Sequence, residues 1–234
     1  MKIVHKCWIP FAILMILLNS CTRVLTEWEK YGLKGNVKSM KEEDFEVIEE
    51  SENWDIGPKM EYGYVINFDK EGYYENLVYH DSKGNFIEKY IPKRKGRKIY
   101  EELRYDENNE ITRKILVTYS SNKKRKYKIL KADGELLSKN ISYVENKLVS
   151  RREIYVYDES FENDQLKFIS EFTYDDNQNL IKYLQFTGKE ETASYTYKYL
   201  EFDDQGNWTK RLEYNTQNDS STPDKITIRT YEYY

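Results

Sequence analysis

Glu61-Tyr62-Gly63-Tyr64-Val65-Ile66-Asn67-Phe68-Asp69-Lys70-Glu71-Gly72 holds a strand and the turn that ends it. Tyr62, Tyr64, Ile66 and Phe68 recur at a spacing of two, the period of a half-buried strand. Phe68-Asp69-Lys70-Glu71-Gly72 then reads as a hairpin turn: the aromatic closes the strand on its packed face, Asp bonds backbone N–H groups, and Gly accepts a positive φ. The same turn returns as Tyr105-Asp106-Glu107-Asn108-Asn109, Tyr174-Asp175-Asp176-Asn177-Gln178 and Phe202-Asp203-Asp204-Gln205-Gly206. Gly72, Gly84, Gly96, Asn109, Asn122, Gly134 and Asn146 space it at intervals of 12, 12, 13, 13, 12 and 12 residues. Each interval has room for one strand and one tight turn, so the chain predicts an all-β antiparallel meander.

Upstream, Val37 to Ile48 reads as the first strand and Glu49 to Pro58 as an acidic connection containing Trp54. After Asn146 the turn candidates are Asn163, Gln178, Gly188, Gly206 and Asp219, and the Tyr231/Tyr233 alternation makes the last segment a pairing strand. The intervals predict roughly 14 strands, more than a strongly twisted open sheet usually holds before it curls or splits. A long curved or spiral sheet is the first expectation, a closed barrel the second and a two-sheet sandwich the third.

The 234 residues are 39% hydrophobic and 33% charged, a composition for a folded body. Tyrosine is the anomaly, with 23 residues against 9 Phe and 4 Trp. It is a strand former that buries a ring and leaves its hydroxyl wet, which suits a sheet with partly solvated faces. The 37 basic and 41 acidic residues are too balanced to draw nucleic acid by long-range attraction.

Lys2 and Lys6 precede an apolar run from Cys7 to Leu18, which has the form of a secretory signal and is too short to span a bilayer as a helix. Leu18-Asn19-Ser20-Cys21 closes it and resembles the lipobox of bacterial lipoproteins, with Asn19 departing from the small residue usual at that place. The resemblance implies a cleaved signal at 1–20, lipid on Cys21, a lipidated tether at 21–35 that ends in a helical turn, and a repeat β-domain at 36–234. Loss of Lys2 and Lys6 would move the formal charge from −4 to −6, and loss of Cys7 would leave no disulfide. The lipobox followed by Tyr-rich turns resembles bacterial envelope lipoproteins with YD-type repeats, loose relatives of RHS repeats. That resemblance implies architecture and an envelope location, anchored at the outer membrane, but no activity.

Chemistry-bearing constellations are sparse. His80 is the single histidine beyond the signal, so a Ser/His/Asp site would need distant residues to converge on it, and Cys/His zinc ligands are missing. Carboxylate pairs include Asp175/Asp176, Asp203/Asp204, Glu42/Glu43 and Glu101/Glu102, but strand neighbours point to opposite faces and the Asp pairs sit in the repeated turn, where capping explains them; a glycosidase pair would have to face across a sugar. Asp203, Asp204 and Asn207, echoed by Asp175, Asp176 and Asn179, gather oxygens without the spacing of a calcium loop. The basic runs Lys93 to Lys98 and Lys123 to Lys126 fall at turns and belong either to an anionic surface contact or to a protected sheet edge. Tyr195, Tyr197 and Tyr199 alternate and form the possible ligand surface. The expectation is therefore a protein without catalytic activity or cofactor, held to a membrane by lipid on Cys21, that presents its Tyr-rich sheet to an envelope protein or surface polymer. A glycan-binding accessory lipoprotein and a repeat module related to toxin or immunity systems are the alternatives.

Overall fold

A computed structural model describes residues 25–50, 53–156, 165–218 and 221–234 of the chain. The signal segment 1–20, Cys21 and the turn candidates Asn163 and Asp219 lie outside the described residues. A short helix α1 (Glu27–Tyr31) leads into strands β1 (Val37–Glu50), β2 (Asn53–Phe68), β3 (Tyr74–Asp81), β4 (Phe86–Lys95), β5 (Lys98–Tyr105), β6 (Ile111–Ser120) and β7 (Lys124–Lys131). They are followed by β8 (Leu136–Glu145), β9 (Leu148–Val156), β10 (Gln165–Tyr174), β11 (Leu180–Thr187), β12 (Glu190–Phe202), β13 (Trp208–Asn215) and β14 (Lys225–Tyr233).

Each strand pairs antiparallel with the next, and β14 returns to β1, so the meander closes into a 14-stranded barrel. The seam aligns Met40 with Tyr231, Glu42 with Arg229 and Asp44 with Thr227. Of the arrangements the sequence left open, closure is the one adopted, because accumulated twist carries the two edges together and pairing them removes both. The acidic stretch Glu49 to Pro58 is not a connection. Glu50 pairs with Asn53, Glu49 with Trp54 and Ile48 with Asp55, while β1 meets β14 only as far as Phe45↔Ile226 and β2 meets β3 only from Tyr62↔Asp81 onward. The end of this hairpin overhangs one rim as a ribbon wetted on both faces, which is why charged residues are tolerated in it.

The repeated Asp carries out the turn chemistry read from the sequence. Asp69, Asp81, Asp106, Asp175 and Asp203 each accept two backbone N–H bonds at 2.8–3.0 Å, from the residues two and four places on. The residue three places on turns left-handed: Gly72 (φ 85), Gly84 (φ 85), Asn109 (φ 63), Gln178 (φ 70) and Gly206 (φ 83). Asn122 breaks the ruler; Ser121 holds that turn by accepting from the N–H groups of Lys123 and Lys124.

The near rim carries the start of β1, the end of β14 and the turns that follow the even-numbered strands β2 to β12. Residues 25–35, assigned from sequence to the tether, lie across it. Thr26 and Glu29 form a reciprocal capping box at the start of α1, and Gly32 ends it at φ 66. The N–H groups of Glu27 and Trp28 donate to the Gly72 carbonyl (2.9 and 3.2 Å), and the Trp28 indole N–H donates to Val37 O (2.9 Å). Beneath lies an apolar cluster of Val37, Met40, Ile66, Phe68 and Tyr74, onto which Trp28 and Leu33 pack.

A Cβ on Gly72 would fall 2.5 Å from the Trp28 ring, whereas one on Gly84, at the same φ of 85, meets nothing within 4 Å. Gly84→Ala should cost roughly 1–2 kcal/mol for its left-handed backbone alone. Gly72→Ala should cost clearly more, read as a larger drop in Tm. Equal losses would mean that Trp28 does not seat against this turn.

Candidate functional site

Alternation along fourteen strands divides the side chains between an outer wall and a lumen. Outward positions include Lys41, Lys89, Glu101, Lys128, Glu153 and Lys182 at mid-strand. A lipid-facing barrel needs an apolar band about 25 Å tall, and a Lys or Arg at its midplane costs about 2–4 kcal/mol. This wall is therefore built for water.

The lumen holds the unusual chemistry. Burial raises the pKa of the Tyr31 hydroxyl, Glu102 on β5, Tyr79 on β3 and Glu27 raise it further, and Arg229 on β14 opposes them. Groups on strands so far apart meet through the interior. Tyr31 is nonetheless 43% exposed, and Tyr127, Phe172, Tyr183 and Tyr195 on the lumen wall are only half-buried. Eight strands leave just enough interior for side chains to fill, so fourteen leave room for water.

One half of the wall, from β13 through the seam to β5, is a network of paired charges. Arg229 Nε donates to Glu42 at 2.6 Å, Asp44 accepts from Lys225 at 2.8 Å and Thr227 at 2.7 Å, and Lys225 also lies 3.6 Å from Glu213. Arg104 pairs with Glu88, which also accepts the Tyr90 hydroxyl at 3.0 Å. Arg94 reaches Glu27 of α1 at 3.6 Å. Trp208 lies between two guanidiniums, Arg229 at 3.9 Å and Arg211 at 4.6 Å from its ring centre. Burial alone would raise the Glu42 carboxyl, but Arg229 and Arg211 outweigh it and hold its pKa below the ordinary value. At Glu213 burial wins over Lys225 and Arg211, and the pKa is raised.

The other half, β6 to β12, is lined by aromatic rings and by arginines that, among the described residues, pair with no acid. Phe172, Tyr183 and Tyr195 form a ladder with ring centres 5.4 and 6.1 Å apart. Tyr195, Tyr197 and Tyr199, the surface singled out from sequence, share the lumen face. Tyr197 sits under Arg211 at 4.7 Å, and Tyr199 packs on Trp208 at 5.5 Å while its hydroxyl donates to Leu180 O at 2.9 Å. Tyr195 thus belongs to the wetter half, and the other two lean toward the charged network.

The remaining sequence candidates are dispersed. His80 lies on the outer face of β3 opposite Gly63. Asp175 turns its carboxylate back into its own turn, Asp203 does so while also accepting from the Tyr233 hydroxyl, and Asn207 is a clamp rather than a metal ligand: its side chain accepts from Lys34 N and donates to Lys34 O and the Tyr233 hydroxyl, all at 2.8 Å. Among the described residues no group of His, Cys, Asp or Glu is arranged to hold a metal ion. Both basic runs fall at near-rim turns, β4–β5 and β6–β7. Sequence reasoning passed over Arg211 and Arg229, weighed Glu42 and Glu102 only as halves of adjacent carboxylate pairs, and took Asn207 for an oxygen donor rather than a clamp. For Arg229 a signal existed, since it shares the parity of Tyr231 and Tyr233.

No family model matches the chain, and no curated protein matches it by sequence. Among solved structures it is similar to a porin-like protein from Bacteroides uniformis, at 11% identity over 85% of this chain and 99% of that one, with a TM-score of 0.44. A DUF1329 family protein from Desulfovibrio piger aligns at 10% identity over 94% of this chain and 88% of that one, with a TM-score of 0.23. A chain in a TcdB2-TccC3-Cdc42 structure aligns at 15% identity over 75% of this chain and 10% of that one, with a TM-score of 0.30. At TM-scores this low none of them bears on what the lumen does.

Glu102 gives the lumen a pH signature. Burial, reinforced by Glu27, pushes its pKa up to about 7 from an ordinary 4.5. The folded state holds the extra proton between those values, so the protein loses stability as pH rises across that window. Glu102→Gln should match the parent in stability near pH 4.5 and exceed it above pH 7 by a margin on the order of 3 kcal/mol, read as a higher Tm. A gap independent of pH would place Glu102 in bulk water.

Proposed function

We propose that this is a lipid-anchored envelope protein without catalytic activity that holds a segment of surface polymer against the aromatic half of its lumen. The observation that carries the reading is the pairing of a charged outer wall with a wet interior lined by Phe172, Tyr183 and Tyr195. Ring faces at such spacing stack on sugar rings, and their hydroxyls bond sugar hydroxyls. A folded protein partner would have to dock outside, where charge dominates, so the lumen favours an extended chain. The Tyr-rich meander with its Asp turns is also what the YD-type resemblance implies for an envelope lipoprotein.

The anchor fits this geometry. Leu25 lies at the near rim, four residues after Cys21, so a lipid there would hold that rim within about 14 Å of the membrane. The basic runs Lys93 to Lys98 and Lys123 to Lys126 would then face the headgroups together. Cys21→Ala should move the protein from the membrane pellet to the soluble fraction; pelleting that survives a carbonate wash would exclude the lipid.

The binding reading is tested on a glycan array with detergent-purified full chain. Retained polysaccharides should be lost by Tyr183→Ala and kept by Tyr119→Ala, which removes an outward ring that is 51% exposed. An empty array, together with a near-stoichiometric protein in a detergent pull-down, would replace the polymer by a protein partner.

A further inference from the structure

Across the inner wall runs a row of paired positions: Arg125 on β7 faces Ser142 on β8, Ser142 faces Arg152 on β9, and Arg152 faces Ser170 on β10. Both arginines belong to the lumen. Arg152 lies over the Phe172 ring at 5.8 Å, and after burial the groups acting on the lumen hydroxyl of Tyr127 are Arg125, Arg152 and Glu102.

Every lumen arginine of the opposite half answers to an acid: Arg94 to Glu27, Arg104 to Glu88, Arg229 to Glu42, and Arg211 to the charge of Glu42. Arg125 and Arg152 have no carboxylate within ion-pair distance among the described residues. They stand two strands apart, about 9.6 Å at the usual inter-strand spacing, and repel each other across a polar floor. That floor is Ser142, 3% exposed, and Ser170, 6% exposed, whose hydroxyl lies 3.3 Å from the Tyr183 hydroxyl. The row therefore borders the aromatic ladder directly.

We propose that Arg125 and Arg152, with the Ser142 hydroxyl between them, form an oxyanion site that takes the carboxylate of an acidic sugar while the neighbouring rings stack on the sugars beside it. An anion between the guanidiniums removes their mutual repulsion, and the planar forks of Arg suit a carboxylate better than Lys would. The site rests on the polymer reading above and narrows it to acidic polysaccharides. The same donors would also accept free phosphate, and the experiment separates the two sources.

Full chain in detergent is titrated calorimetrically with trigalacturonate, maltotriose and inorganic phosphate. Trigalacturonate should bind one to one and weaken as salt rises, and Arg125→Gln and Arg152→Gln should each weaken it at least about tenfold. Among the described residues neither arginine has an ion-pair partner to abandon, so both variants should keep the parent Tm. Independently of any variant, trigalacturonate should protect Arg125 and Arg152 of the parent chain from phenylglyoxal, read by mass spectrometry. Undiminished trigalacturonate binding by the double variant, with no protection, would overturn the site. Maltotriose binding as tight as trigalacturonate and indifferent to both arginines would overturn the site and leave the polymer reading standing. Phosphate binding lost in both variants, with no affinity for trigalacturonate, would keep the site and remove the polymer.

Discussion

Where β14 meets β1, Arg229 sets its guanidinium against Glu42 at 2.6 Å and over the Trp208 ring, with both charged side chains almost fully buried. Burying two charges is costly, and such a pair is weak evidence of net stabilisation; removing either partner alone strands the other at about 3–5 kcal/mol. Its value lies in register. A one-residue slip of β14 against β1 would turn Arg229 and Lys225 outward and leave Glu42 and Asp44 unpaired inside. The seam can close in one alignment, and the other thirteen pairings join strands consecutive in the chain. Joining chain ends far apart in sequence is affordable because loop entropy grows only as the logarithm of length, and the hairpins have already carried the ends around the circle.

That seam also explains why the lumen is uneven. Near it, carboxylates and guanidiniums alternate across strands; burial raises the Glu213 carboxyl, whereas at Glu42 the charges of Arg229 and Arg211 outweigh burial and hold it low. Opposite it, the wall is wet and carries cations that face no acid among the described residues. A barrel that needed polar residues only to keep water in its lumen would have no reason to segregate them this way. Ion pairs cluster where the fold must close, and arginines with no carboxylate partner among the described residues line the half-buried wall opposite.

The turns were legible because their chemistry is local: Asp at one place and a residue tolerant of positive φ three places on are visible in five residues. The strand number followed from their spacing. Closure was only one of the open readings, because the residues that decide it, Glu42 and Arg229, are 187 positions apart and neither stands out alone. Glu49 to Pro58 misled for the opposite reason, since acidic residues look like a loop unless the strand is known to leave the barrel and lie in water on both faces. Tyr195, Tyr197 and Tyr199 were found as a stripe, but alternation gives two faces without saying which is inside. Asn207 was hidden by its own motif: it follows a turn Asp, and the contact that matters is with Lys34, brought in by the fold.

The apolar core lies where α1 lies, at the near rim, and this links folding to access. Val37, Met40, Ile66, Phe68 and Tyr74 cannot be covered by the barrel alone, because a ring of strands leaves its mouth open; Trp28 and Leu33 complete the cover. The lid is pinned by Gly72 carbonyl bonds on one side, by the Asn207 clamp on another and by Lys147 on Glu29 at 3.1 Å on a third. A movable gate would open onto a hydrophobic patch, whereas this segment is part of the core and stays. Under the polymer reading, a chain would reach the arginines and the aromatic ladder from the far rim, away from the end that α1 occupies. The lipid proposed on Cys21 would lie at that same covered end, so anchoring and binding would use opposite ends of the barrel.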